Sequence, residues 1–276
     1  MSSPTDTPDA EATASDAVEP APAAEGRAAA IAKFLPGRRE ALFLLGGSIL
    51  GASGGGAFAA SAASGDSHAE IPERDDKEEL SSKEALARLK EGNERFAHGD
   101  AVHPDQAVSR RKDLREGQHP FAAILSCADS RVPPELVFDQ GFGDLFVVRS
   151  AGQVIDHAVM GSLQYGIAEL GVPLLVVMGH SRCGAVKATI EAVEKHAKPT
   201  GTDIDALVAA IKPSVEEAHE LGATEKNILP VSIDLNVERV VEQLKHAPVL
   251  SAASKTRKVK IVGATYDLAT GEVDWL

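Results

Sequence analysis

The stretch VPLLVVMGHSRCGAVKA, residues 172–188, decides the fold. Its first part, VPLLVVMGH, reads as a strand with no polar face, and the residues after Cys183 open a helix, GAVKATIEAVEKHA. A strand that is apolar on both faces has to be covered on both, which is the situation of a parallel sheet with helices above and below. The pattern recurs along the chain. FAAILSC (121–127), DLFVVRS (144–150) and KVKIVGATYDL (258–268) read as further strands. HAVMGSLQYGIAELG (157–171), IDALVAAIKPSVEEAHEL (204–221) and LPVSIDLNVERVVEQLKHA (229–247) read as helices, with Pro213 and Pro230 marking turns or kinks. The C-terminal ATYDLATGEVDWL adds a turn at Thr270-Gly271 and a short edge strand. The expected fold is α/β, a mainly parallel central sheet of four to five strands flanked by helices.

Toward the N-terminus the composition changes. SSKEALARLKEGNERFAHG carries Leu86, Leu89 and Phe96 at helical spacing, with Ser81 or Ser82 as N-cap and Glu84 in the first turn, so the folded domain is expected over 80–276. Residues 64–79 form a charged linker. Residues 1–36, mostly Ala, Pro and acidic side chains, hold too little apolar surface to fold and read as a disordered leader. Between them, residues 37–63 open on Arg38 and Arg39, run through an apolar Gly- and Ala-rich stretch and close on AFAASAAS, the pattern of a twin-arginine export signal with cleavage after Ala62 or Ala63. The same 41–63 segment is long enough to remain as a membrane anchor, since about 20 apolar residues span a bilayer. Export is the expected route, with anchoring as the alternative. The net charge of −13 and an aromatic content of 4% argue against nucleic acid as a partner, which needs a basic face or stacking platforms.

In an open parallel sheet, reactive groups gather outside the carboxyl ends of the strands. Cys127 ends one predicted strand, His180 ends another, and Cys183 starts the following helix, where the positive end of the dipole favours thiolate. Two thiolates and an imidazole are a plausible zinc set with the fourth tetrahedral position open, as in a catalytic site. Water in that position has its pKa lowered to about 7. In CADSR, Asp129 stands two residues from Cys127 and on its side of an extended backbone, close enough to accept a hydrogen bond from that water or to take the fourth position itself. Arg131, two further on, can pair with Asp129 bidentately and keep it charged and off the metal. Cysteine count alone equally allows a disulfide between the two cysteines, the pair of motifs argues against it, and Asp129 and Arg131 could still be a plain surface ion pair. The other histidines lack a partner at ligand spacing and read as structural or surface residues.

CADSRVPPE followed by GHSRCGAVKA resembles the β-class carbonic anhydrases over roughly residues 80–276. The resemblance implies Cys127, His180 and Cys183 as ligands of one zinc per subunit and Asp129 with Arg131 as the catalytic dyad. It further implies that Gln118, Phe146, Tyr165 and Gly184 line the substrate pocket, partly from the partner subunit. It implies a homodimer, or a dimer of dimers, with an N-terminal helix (81–97) packed on the neighbour. Relatives inhibited by bicarbonate carry tryptophan where Ile124 stands here, so no such regulatory site is expected, although Arg149 matches that branch's second contact. The activity implied is reversible hydration of carbon dioxide to bicarbonate and a proton. Hydrolysis of carbon disulfide or carbonyl sulfide on the same scaffold, and a zinc- or anion-binding module without turnover, stand as alternatives.

Overall fold

A computed structural model describes residues 79–256 and 259–276. The leader, the signal-like segment and the linker up to residue 78 lie outside these residues. The sheet has five strands, β1 (Ala122–Cys127), β2 (Leu145–Ser150), β3 (Leu174–His180), β4 (Lys260–Tyr266) and β5 (Val273–Trp275), in the order β2-β1-β3-β4-β5. The first four are mutually parallel and β5 runs antiparallel to β4. Every residue of β1 and β3 is buried, as their unbroken apolar runs require.

The described helices are α1 (Ser82–His98), α2 (Val108–Asp113), α3 (Pro134–Val137), α4 (His157–Ala168), α5 (Gly184–Glu194), α6 (Ile204–Glu220), α7 (Ile228–His246) and α8 (Pro248–Lys255). Side chains alternate across a strand, so Ala123, Leu125, Leu175 and Val177 share one face of the sheet. They pack on Val159 and Leu163 of α4 and on Val237, Val241 and Leu244 of α7. Ile124, Val176 and Met178 point the other way and are equally buried.

Neither proline expected to mark a turn or kink ends its helix. Pro213 lies inside α6, and Pro230 sits in the first turn of α7, where a backbone N–H has no intrahelical partner to lose. The short helices α2, α3 and α8 were not legible, since each is too brief to show a period.

Ser81 caps α1 in a reciprocal capping box with Glu84. Helix α1 is held to its own subunit. Asn93 donates to the carbonyls of Val137 (3.0 Å) and Gly271 (2.8 Å) and accepts from the Val273 amide (2.9 Å). At Gly92 a Cβ would stand 1.9 Å from the Phe138 carbonyl oxygen, so only glycine admits this approach. The buried face of α1 is thus occupied within the chain, and what it can offer a neighbour is its opposite, charged face.

Candidate metal centre

Parallel pairing of β1 with β3 brings Cys127 and His180 to the same end of the sheet. A tight turn through Arg182, in the left-handed region at φ 58°, then sets Cys183 at the N-cap of α5. The ligand atoms of Cys127, His180 and Cys183 all lie within 4.8 Å of one another, and the three side chains are buried. Both cysteines are free, so the disulfide alternative does not hold.

The donor set fits a zinc ion. His180 Nδ1 lies 3.0 Å from the Ser181 carbonyl oxygen. A carbonyl only accepts, so Nδ1 carries the proton and Nε2 carries the lone pair. That Nε2 is buried with no hydrogen-bond partner, an uncommon state for a polar atom unless a cation completes it. Between the two sulfurs the charge is uneven. The thiol of Cys183 donates toward Cys127 and, with the Gly152 amide, pulls Cys127 down to about 4. The same contact, with burial, pushes Cys183 well above the usual thiol range, while first-turn amides of α5 oppose the rise. A cation held by both sulfurs would take the place of that shared proton.

Asp129 stands at the rim. Its Oδ1 accepts from Arg131 Nε (2.9 Å) and from the Arg131 amide (3.0 Å), and its Oδ2 accepts from Nη2 (2.7 Å). The Arg131 guanidinium holds the Asp129 carboxyl well below the usual carboxylate range, although partial burial acts in the opposite sense. Oδ2 also lies 3.9 Å from His180 Nε2, so the ionised carboxylate faces the donor cluster. Arg149 donates to the carbonyls of Cys127 (2.9 Å) and Asp129 (2.5 Å) and braces the loop between them. Ile124 is fully buried within β1.

Cys127, Asp129, Arg131, His180, Cys183 and Gly184 therefore meet at one end of the sheet. Gln118, Phe146 and Tyr165 do not join them within one subunit. Phe146 pairs with Ala123, four residues before Cys127, which places it about 13 Å back along the strand. Its ring lies 6.2 Å from that of Tyr165, which is half exposed. Gln118 lines an open cleft with Arg111, Arg115 and Phe142 that contains none of the three donors. Sequence reasoning missed Gly152, whose amide donates to Cys127 Sγ at 3.3 Å, and Ser181, whose carbonyl selects the His180 tautomer. The only local signal for Gly152 was a glycine just after a strand.

The family model described as carbonic anhydrase matches residues 122–273. A carbonic anhydrase of Mycolicibacterium smegmatis is 42% identical over 191 residues, 69% of this chain and 91% of that protein. Carbonic anhydrase 2 of Mycobacterium tuberculosis is 43% identical, over 68% of this chain and 89% of its own length. Among solved structures, the Coccomyxa β-carbonic anhydrase in complex with acetazolamide superposes with a TM-score of 0.56 at 27% identity, covering 69% of this chain and 86% of that one.

Proposed function

This chain belongs to the β-class carbonic anhydrases, enzymes that hydrate carbon dioxide, and from that premise we propose how its own residues divide the work. Cys127, His180 and Cys183 would hold one zinc ion per subunit. When bound, zinc acts as a Lewis acid and lowers the pKa of water to about 7. In the net reaction a water oxygen bonds to the carbon of carbon dioxide and one proton leaves, giving bicarbonate.

Asp129 accepts a hydrogen bond from the attacking oxygen and so aims its lone pair at the carbon. Arg131 keeps Asp129 ionised and fixes both of its oxygens, with Oδ2 toward His180 Nε2. Arg149 holds the backbone on which Cys127 and Asp129 stand, so ligand and gate move as one unit. Gly184 leaves open space beside Cys183, where nothing beyond its chain neighbours and its own helix backbone comes within 4 Å of a would-be Cβ. Burial of the centre excludes bulk water from all but the rim.

Gln118, Phe146 and Tyr165 contribute from a second copy of the chain. The edge strand β2 supports this reading, because Leu145 to Val148 are apolar yet only half-buried. Phe142 and Tyr165 add large exposed apolar groups to that region. An edge with free backbone groups and an apolar surface is suited to self-association, and the assembly is a homodimer or a dimer of dimers. Export by the twin-arginine route, with residues 37–63 as the signal, is the proposed destination. Among the described residues no helix is long and apolar enough to cross a membrane, so any anchoring falls to 41–63. Replacement of Arg38 and Arg39 by lysine tests this, with loss of the exported form as the expected result and unchanged export as the contrary one.

The observation that carries the reading is the buried Nε2 of His180, without a hydrogen-bond partner, clustered with two free cysteines. The test is metal analysis of the purified full chain together with stopped-flow hydration of carbon dioxide. One zinc per subunit and rapid hydration are expected, both lost in Cys127→Ser. Hydration at full rate by the metal-free chain would overturn the proposal.

A further inference from the structure

The Gly152 amide that meets Cys127 Sγ belongs to a single turn, Ala151–Gln153, directly after β2. Gly152 adopts φ 65°, a conformation that glycine enters at little cost and other residues avoid. Such a residue needs fastening on both sides if its amide is to keep one direction. The far side is fastened from α7, where Asn236 Nδ2 donates to the Gly152 carbonyl at 3.0 Å across 84 residues of sequence. Behind it, the hydroxyl of Ser214 on α6 donates to Asn236 Oδ1 at 3.4 Å. The orientation of the amide follows from its partners, since the carbonyl can only accept and the hydroxyl has a proton to give.

Asn236 and Ser214 are 2% and 0% exposed. Placing an amide and a hydroxyl between packed helices costs free energy unless both are hydrogen-bonded, and an apolar pair would fill the same space without that demand. The helix–helix contact does not need them. What they provide is a direction, running from Ser214 through Asn236 and Gly152 to the sulfur.

We propose that Asn236, oriented by Ser214, is a positioning residue for the metal centre that holds Gly152 so that its N–H points at Cys127 Sγ. A hydrogen bond to a thiolate withdraws electron density from sulfur and restricts where its lone pairs point, so Asn236 sets both the geometry and the donor strength of one metal ligand. Groups outside the ligand shell commonly act in this way, and their loss costs roughly 10- to 100-fold in metal affinity or activity.

The inference rests on Cys127 being a zinc ligand, and the experiment separates the two. Full-length protein, unsubstituted and as Asn236→Ala, Ser214→Ala and Val240→Ala, is loaded with zinc and challenged with a chromophoric chelator. Parallel samples exchanged with cobalt report the thiolate-to-metal charge-transfer band. In Asn236→Ala zinc affinity falls about 10-fold or more and the band moves to lower energy, because the sulfur has lost its hydrogen bond. Ser214→Ala changes both in the same direction by less. Val240→Ala, which removes core packing from the same helix, lowers the melting temperature and leaves band and affinity in place. An Asn236→Ala protein that folds with unchanged affinity and an unmoved band overturns the inference alone. If that variant does not fold, an unmoved band in Ser214→Ala does the same. Failure of the unsubstituted chain to hold zinc sinks the metal-centre reading, and this inference with it.

Discussion

Asp129 shows how much one residue's role depends on its neighbour. Both of its oxygens are occupied by Arg131, one through the side chain and the backbone together, the other through the guanidinium alone. That pairing keeps the carboxyl ionised further into acid than a free aspartate, whose pKa is about 3.9. Replacing Arg131 by glutamine removes the chief cause of the depression, so the Asp129 pKa rises. The Asp129 carboxyl, followed by carbon-13 NMR, then titrates at higher pH while zinc stays bound. A carboxyl that still titrates well below the usual carboxylate range in Arg131→Gln would count against the pairing as the cause. Asp129→Ala is expected to keep its metal and lose about a hundred-fold or more in turnover, the range for a positioned proton acceptor, as measured by stopped flow beside metal analysis. These residues were legible in the sequence because CADSR and HSRC place donor and partner within three positions of each other. Gly152, Asn236 and Ser181 were not, because a glycine, an amide and a backbone carbonyl acquire a role only from what the fold sets opposite them.

At the scale of elements, the turn after β2 and the segment after α3 carry the constraints that fix the site and the N-terminal helix. Alanine at Gly152 would keep a side chain in the left-handed region, a cost of roughly 1–2 kcal/mol. Its Cβ would also meet Ile211 Cδ1 at 2.7 Å. Gly152→Ala should therefore lower stability in urea and loosen zinc together, and a variant that loses stability with full zinc retention would separate the turn from the centre. Asp139 does comparable work elsewhere. Burial raises its pKa, but Arg95 at 2.7 Å and the amides of Val102 and His103 outweigh this and leave it depressed. A depressed carboxylate contributes stability that is present above the unfolded value of about 3.9 and is lost as pH falls through the folded value. Asp139→Ala leaves Arg95 without its buried partner and is expected to cost about 3 kcal/mol. Urea titrations at pH 7 and pH 3 check both points, since the difference between the two proteins should shrink in acid. The strands and the long helices were readable as elements because their periods extend over many residues. Pro213 is carried within α6 because tertiary packing holds the helix together through a residue that would break an isolated one.

At the scale of the whole molecule, one subunit holds the donor cluster of a candidate metal centre whose expected substrate contacts lie elsewhere on the same chain. Gln118, Phe146 and Tyr165 are set along or beside the exposed side of the sheet rather than at the carboxyl ends of β1 and β3. A second copy docked on β2 would resolve this, so association and activity should be lost together. Val147→Glu places a charge on that edge strand, where the side chain is only half-buried. Sedimentation should show monomers with an intact far-ultraviolet spectrum, zinc retained and hydration greatly reduced. A fully active monomer would reject the shared site. The parallel α/β architecture and the identity of the donor residues were determined by the sequence itself, because apolar runs, helical periods and ligand chemistry are local properties. Which of the named residues meet, which tautomer His180 adopts and what aims at the Cys127 sulfur were decided only by tertiary structure. Those depend on pairing across β1, β2 and β3 and on polar side chains from α6 and α7, contacts between residues up to 84 positions apart that no local pattern encodes.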